Sequence, residues 1–210
     1  MQPTMDTTRS TSALPEYSDE MIEKYRTINV DFDDWSTWTQ DGFKERMEAI
    51  GIYVDRIYWS GFWSQGDGAM FEGWVQDWGK YLTHLGYTDD TLIETAINCW
   101  TFSWKQSGHY YHENSVSFDD GIYLPDNPYT NWKVEDTDED RFRASVWESV
   151  MAQHDLLQLS EAIQEDLKDA MRDLYRALED EYDSLTDDES VVEAMRANDI
   201  DPNELTDEEE

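Results

Sequence analysis

A formal charge of −34 on 210 residues constrains this chain before any motif does. Its 49 Asp and Glu face only 15 Lys and Arg, and any core must leave nearly all of those acids in water. The charge excludes a direct role on a phosphate backbone, which needs a basic footprint. It also excludes docking on anionic membranes. It does not imply disorder. Aromatic residues make up 14% of the chain, whereas acidic disordered chains are poor in them. A folded core is expected beneath the charge, in one domain or one domain with a helical appendage.

The single cysteine, Cys99, excludes an internal disulfide and a cysteine-based metal knuckle. Its neighbours Ile97 and Trp100 predict a buried thiol. The first twenty residues hold no apolar run, so no signal peptide is expected. No stretch approaches the length of a membrane span. The expected compartment is the cytoplasm.

Residues 1–15, rich in Thr, Ser and Pro, read as a flexible tail. A short helix is expected over Glu16–Thr27. A better one covers Asp33–Ile50, capped by Asp33 or Asp34, with Trp35, Trp38, Phe43, Met47 and Ile50 as its apolar positions and Gly51 as its stop. Ile52–Trp59 and Ala69–Val75 read as strands on either side of a glycine-rich turn, Gly61–Gly68. Thr88–Cys99 predicts a helix capped by Thr88, with Leu92, Ile93, Ala96, Ile97 and Trp100 as its stripe. Two more strands, Thr101–Lys105 and His109–Phe118, are expected to join at a Ser107-Gly108 hairpin turn. Pro125–Asp140 reads as loop.

From Phe142 to Tyr182 apolar residues recur, most of them three or four positions apart, through Val146, Val150, Leu156, Leu159, Ile163, Leu167, Met171, Leu174 and Leu178. A break is expected near Gln153–Asp155. Thr186 and Glu189 form a capping box for a last helix, Asp187–Ala197. The fold class is α+β: a small antiparallel sheet packed with helices, followed by a long acidic C-terminal helical region. The expected organisation is a flexible tail over 1–15, an α+β core over 16–140, an acidic helical region over 141–198 packed on that core, and an acidic tail over 199–210.

Half the charge lies in the last 60 residues, which hold 21 acids and 4 bases. Glu161, Glu165, Asp169 and Asp173 follow one another at four-residue steps, about 6 Å apart along a helix axis. That spacing is comparable with successive phosphates on one DNA strand. Asp155, Asp166, Glu179, Asp180, Glu181 and Asp183 widen the row. Glu161, Glu165, Asp166, Asp169, Asp173, Asp180 and Asp183 are therefore candidate phosphate mimics, able to enter a basic DNA channel and release its counterions. Acidity also serves solubility, adaptation to high salt, or an interaction module of another kind.

Chemistry is harder to place. His109, His112 and Glu113 are close in sequence, but on a strand the two imidazoles face opposite ways. Gly61–Gly68 lacks the Lys and Ser/Thr of a phosphate loop, and Asp67 repels phosphate. Asp55, Asp67 and Glu72 are the acids nearest a Mg²⁺ set. No Ser-His-Asp or Cys-His spacing stands out. The expectation is no catalytic residue, no metal and no cofactor. Trp59, Phe62, Trp63, Phe71, Trp74 and Trp78 are too numerous for one surface, and most are expected in the core. Trp63 and Trp132, in predicted loops, are candidate aromatic anchors for a partner.

The run Tyr58-Trp59-Ser60-Gly61-Phe62-Trp63-Ser64-Gln65-Gly66-Asp67-Gly68-Ala69-Met70-Phe71 resembles a segment of uncharacterised tailed-bacteriophage proteins, in which a strand enters an SQGDG turn. Gly108-His109-Tyr110-Tyr111-His112-Glu113-Asn114-Ser115 resembles their second signature, and residues 174–186 resemble their C-terminal helix and turn. The resemblance implies a phage protein acting in the host cytoplasm and carries no catalytic residue with it. In charge and size the chain is similar to the acidic phage proteins that occupy the DNA sites of restriction enzymes, glycosylases, nucleoid proteins and defence nucleases. It is therefore expected to be a DNA-mimicking inhibitor of a host DNA-binding protein (nuclease, glycosylase or nucleoid protein), with no nucleic acid or membrane contact of its own. The alternative is a phage adaptor or structural protein that binds through an aromatic surface. The apolar face from Leu156 to Leu178 offers a homodimer contact.

Overall fold

The computed structural model describes residues 17–122, 145, 148–150 and 152–203. The predicted tail over 1–15, the loop Pro125–Asp140 with Trp132, the helix positions Phe142 and Val146, and residues 204–210 lie outside them. The described residues have the α+β fold that the patterning predicts. They form two compact units. One runs up to Trp35 and resumes at Tyr182; the other runs from Ser36 to Glu181. The expected boundary at residue 140 falls inside the larger unit.

In the smaller unit, helix α1 (Asp19–Lys24) is capped by Ser18, whose hydroxyl accepts from the Met21 N–H at 3.3 Å. Tyr17 and Met21 form a core with Val191 and Met195 of the last helix, α6 (Asp188–Ala197). The Tyr17 hydroxyl donates to the Ile200 carbonyl at 3.0 Å, and Arg26 donates to Asp188 at 2.5 Å and to the Thr186 carbonyl at 3.0 Å. The cap of α6 is Asp187, which accepts from the Ser190 N–H at 2.7 Å. The expected capping residue Thr186 instead donates its hydroxyl back to the Tyr182 carbonyl.

The larger unit begins with α2 (Thr37–Ala49), preceded by a 3-10 turn over Asp33–Ser36. Strands β1 (Ile52–Ser60), β2 (Gly68–Val75), β3 (Phe102–Gln106) and β4 (Val116–Asp120) make an antiparallel sheet in sequence order. Helices α3 (Trp78–His84) and α4 (Asp90–Cys99) connect β2 to β3. Phe71, Phe102 and Trp104 point to the buried face, where Phe43 of α2 meets Phe71 edge-on at 5.0 Å. The register of β1 on β2 shifts between Val54 and Arg56, so Asp55 is a bulge on an edge strand.

Four expectations are corrected here. His109–Phe118 is not one strand: β4 starts at Val116, and residues 107–115 form a long connection rather than a two-residue hairpin turn. The cap of α4 is Asp89, not Thr88, because the Asp89 carboxylate accepts from both Thr91 and Leu92 N–H groups. Trp38 faces solvent on α2, and Ile97 and Trp74 are also exposed, although each was expected in an apolar stripe or core. Cys99 is half-buried rather than buried.

The long helix, α5 (Leu156–Leu185), follows the expected break; Asp155 accepts from the Gln158 N–H at 3.1 Å where it begins. Leu156, Leu159, Ile163, Leu167, Met171, Leu174 and Leu178 are all buried within the chain's own fold. The face expected to pair two copies is therefore already covered. No helix among the described residues is long and apolar enough to cross a membrane. Replacing a leucine in this face leaves a cavity that rigid neighbours fill poorly. Leu167→Ala is expected to destabilise the fold by about 2–5 kcal/mol, measured by urea denaturation with the m-value as a check on compactness.

Candidate functional site

The buried face of α5 dictates where its acids point. A helix advances about 100° per residue, so four-residue steps wind by about 40° each. Glu161, Glu165, Asp169 and Asp173 therefore form a winding row, all exposed, and Asp180 continues it. Asp183 is exposed too, but it lies on the last turn, in the smaller unit. Asp166 departs from the row. Its Oδ2 accepts from the buried Tyr81 hydroxyl at 2.9 Å, and its Oδ1 lies 3.4 Å from His84 Nε2. Asp166 thus ties α5 to α3. Burial first, then the Asp166 charge, pushes the Tyr81 hydroxyl far above the ordinary tyrosine range.

The row is not a run of bare carboxylates. Arg172 donates to Glu165 at 2.7 Å and also to Asp169, while Arg176 donates to Asp173 at 3.1 Å. Those hydrogen bonds, Asp169 first and then Glu165, hold the Arg172 guanidinium more firmly protonated. The spacings of three and seven residues that bring these groups together were readable in the sequence. The acids alone draw attention there, and the interleaved arginines are easily missed.

The two signature loops meet on the outer face of the sheet. Tyr58 and Gly68 belong to neighbouring pairs, Tyr58 with Met70 and Ser60 with Gly68, so these four side-chain positions share a face. The 107–115 connection folds over them: Tyr111 stacks on Tyr58 with ring centroids 5.4 Å apart, and Met70 is fully buried. At Gly68 the backbone of Tyr111 and His112 comes so close that a Cβ would lie 2.6 Å from the Tyr111 carbonyl oxygen. Gly66 has φ +97°, and a Cβ there would lie 2.7 Å from the Tyr110 ring. The glycines of the turn are there for close approach.

Asp67 completes the turn. Its Oδ2 accepts from the N–H groups of Trp63 at 3.0 Å and Ser64 at 2.5 Å. A cavity of about 540 Å³ opens between turn and connection, lined by Gln65, Asp67, Tyr110, His112, Glu113 and Asn114. Asp67, His112, Glu113 and Asn114 of this lining are engaged in holding the loops. His112 Nδ1 accepts from the Asn114 N–H at 3.1 Å, and Glu113 accepts from the Asn114 amide at 3.1 Å. Glu72 accepts from the Tyr58 hydroxyl at 3.2 Å and the Gln106 N–H at 3.0 Å. Among the described residues no three His, Cys, Asp or Glu gather as a metal set, so neither His109, His112 and Glu113 nor Asp55, Asp67 and Glu72 form one.

Trp63 projects from this turn and is 72% exposed. Beneath it Phe62 is buried and touches three rings, Trp59 stacked at 5.7 Å, Trp63 edge-on at 5.9 Å and Tyr175 of α5 at 5.7 Å. The predicted anchor and the acidic helix are thus neighbours. Trp132 lies outside the described residues.

Three measurements follow from this geometry. Gly68→Ala is expected to cost about 1–3 kcal/mol and to raise hydrogen exchange across 107–115, whereas Gly42→Ala on α2, where a Cβ would make only an ordinary contact with the Arg46 side chain, should stabilise by about 0.5–1 kcal/mol. Chemical denaturation of both variants checks the opposite signs. The raised Tyr81 pKa contributes stability that is fully present below about pH 10 and is lost as pH rises beyond it. Thermal melts from neutral to alkaline pH should show a shallower decline in Tyr81→Phe than in the wild type.

The family model described as "Domain of unknown function (DUF8835)" matches residues 35–188. No curated protein and no solved structure matches the chain. The matched span takes in the whole larger unit, with its sheet, both signature loops and the acidic part of α5. It covers well over half of the 210 residues, and the chain belongs to the DUF8835 family.

Proposed function

We propose that this protein is a non-enzymatic, DNA-mimicking inhibitor made by a phage, which binds the basic DNA site of a host nuclease, glycosylase or nucleoid protein in the host cytoplasm. The observation that carries the reading is the presentation of charge. Glu161, Glu165, Asp169, Asp173 and Asp180 stand exposed on one helix whose other face is buried, so their positions are set by the core. Carboxylates fixed in this way meet a cationic channel with little ordering cost. Pairing with Arg172 and Arg176 orders three of them, and exposed pairs of that kind are weak enough for a partner's cations to displace.

A second reading, an adaptor or structural phage protein, is favoured by the 72% exposure of Trp63 on a turn that Asp67 holds. The two readings differ in their response to salt. A mimic is displaced by duplex DNA, and its affinity falls steeply with ionic strength. An aromatic adaptor binds with little dependence on salt.

The test is capture of partners from bacterial lysate on the immobilised full chain, followed by binding measurements on the purified partner. Neutralising Glu161, Glu165, Asp169, Asp173 and Asp180 together is expected to weaken binding by tenfold or more, on the order seen for charged interfaces, and to flatten the salt dependence. A partner that binds this variant as tightly as the wild type, or that binds alongside DNA, sinks the mimicry reading.

A further inference from the structure

We propose that the Trp63 turn and the Tyr175–Glu179 stretch of α5 form one binding surface for an arginine side chain presented by a protein partner. The inference rests on the reading above only in taking the partner to be basic; it adds which cation is recognised and where. Trp63 is 72% exposed, yet its backbone N–H is held by Asp67 at 3.0 Å, so the indole stands on a fixed turn. Buried Phe62 joins that turn to Tyr175 through ring contacts of 5.9 Å and 5.7 Å. Glu179 follows Tyr175 by four residues, on the same face of the helix. Burial first, then the charges of Glu179 and Asp67, raise the Tyr175 hydroxyl pKa.

The surface therefore offers an exposed indole on a turn that Asp67 closes, with Glu179 on the helix that the turn reaches through Phe62. An indole alone accepts any apolar group, and a carboxylate alone accepts any cation. Together they select a cation flat enough to lie on the indole while its N–H edge reaches a carboxylate. That describes the guanidinium group, which stacks on aromatic faces and pairs with carboxylates in a planar fork. An ammonium group is compact and strongly hydrated, and it gains less from the ring. The overall charge of −34 excludes an anionic occupant.

Labelled glycine–arginine and glycine–lysine repeat peptides of equal length, titrated against the full chain by fluorescence anisotropy, test the proposal. The wild type is expected to bind the arginine peptide more tightly. Trp63→Ala should weaken it roughly three- to tenfold and erase the preference, Trp63→Phe should retain part of it, and Glu179→Gln should weaken both peptides. Equal affinity of the wild type for the two peptides, or an arginine affinity unmoved by Trp63→Ala or by Glu179→Gln, overturns the proposal. Neutralising Glu161, Glu165, Asp169, Asp173 and Asp180 leaves Trp63 and Glu179 in place, so the arginine preference should persist there. Failure of DNA mimicry and failure of arginine recognition are thereby told apart.

Discussion

The buried stripe of α5 is the contact on which the rest of the larger unit depends. Leu159, Ile163, Leu167, Met171, Leu174 and Leu178 are each at most 1% exposed. Full burial of such side chains is worth about 1.5–3 kcal/mol apiece as an upper estimate. That gain holds together a helix whose exposed acids repel one another at four-residue spacing. It also sets the rotation of the helix about its axis, and with it the direction of every carboxylate. Asp166 shows the consequence: one position along from Glu165, it turns away from the row and meets Tyr81.

The glycine-rich signature has a different origin. Its residues are required by packing rather than by a bound group. Gly68 lets the 107–115 connection lie against the sheet, Gly66 makes room for Tyr110, and Asp67 closes the turn on two backbone N–H groups. The Trp63 indole of the same turn stays 72% exposed while it meets Phe62 edge-on. The turn carries it next to α5.

Elements with strong periodicity were legible from the sequence alone. Ile52–Trp59 reads as a strand from its Ile, Val and Tyr, and the Leu156–Leu178 stripe repeats at three to four residues, so that one face of the helix fits the core. What escaped was set by contacts distant in sequence. Tyr110, Tyr111 and His112 fall in a segment with the composition of a strand, yet they pack over Gly66, Gly68 and Tyr58 as a loop. Trp38 obeys helical spacing and still faces solvent, because Phe43 and Met47 already fill the buried side of α2. At Asp89 and Asp187 adjacent Thr and Asp both suit a cap, and only the backbone path decides between them. The acidic row was legible as spacing but not as electrostatics, since Arg172 and Arg176 enter it from the next turn.

That interleaving bounds what charge can do at this surface. From Glu161 to Asp180 the helix carries seven acids, Glu161, Glu165, Asp166, Asp169, Asp173, Glu179 and Asp180, and three bases, Lys168, Arg172 and Arg176, a net of −4. Twenty residues span about 30 Å, over which duplex DNA carries about 17 negative charges. The helix alone therefore reaches roughly a quarter of the charge density it would have to imitate. Long-range attraction of a basic partner is well served by the −34 of the whole chain, because steering depends on the summed field. Tight and selective binding needs more than that field, and a desolvated aromatic contact supplies what screened charges do not. A DNA mimic built on this helix must therefore draw part of its affinity from an apolar anchor. Trp63, exposed and joined through Phe62 to the same helix, is placed to provide it.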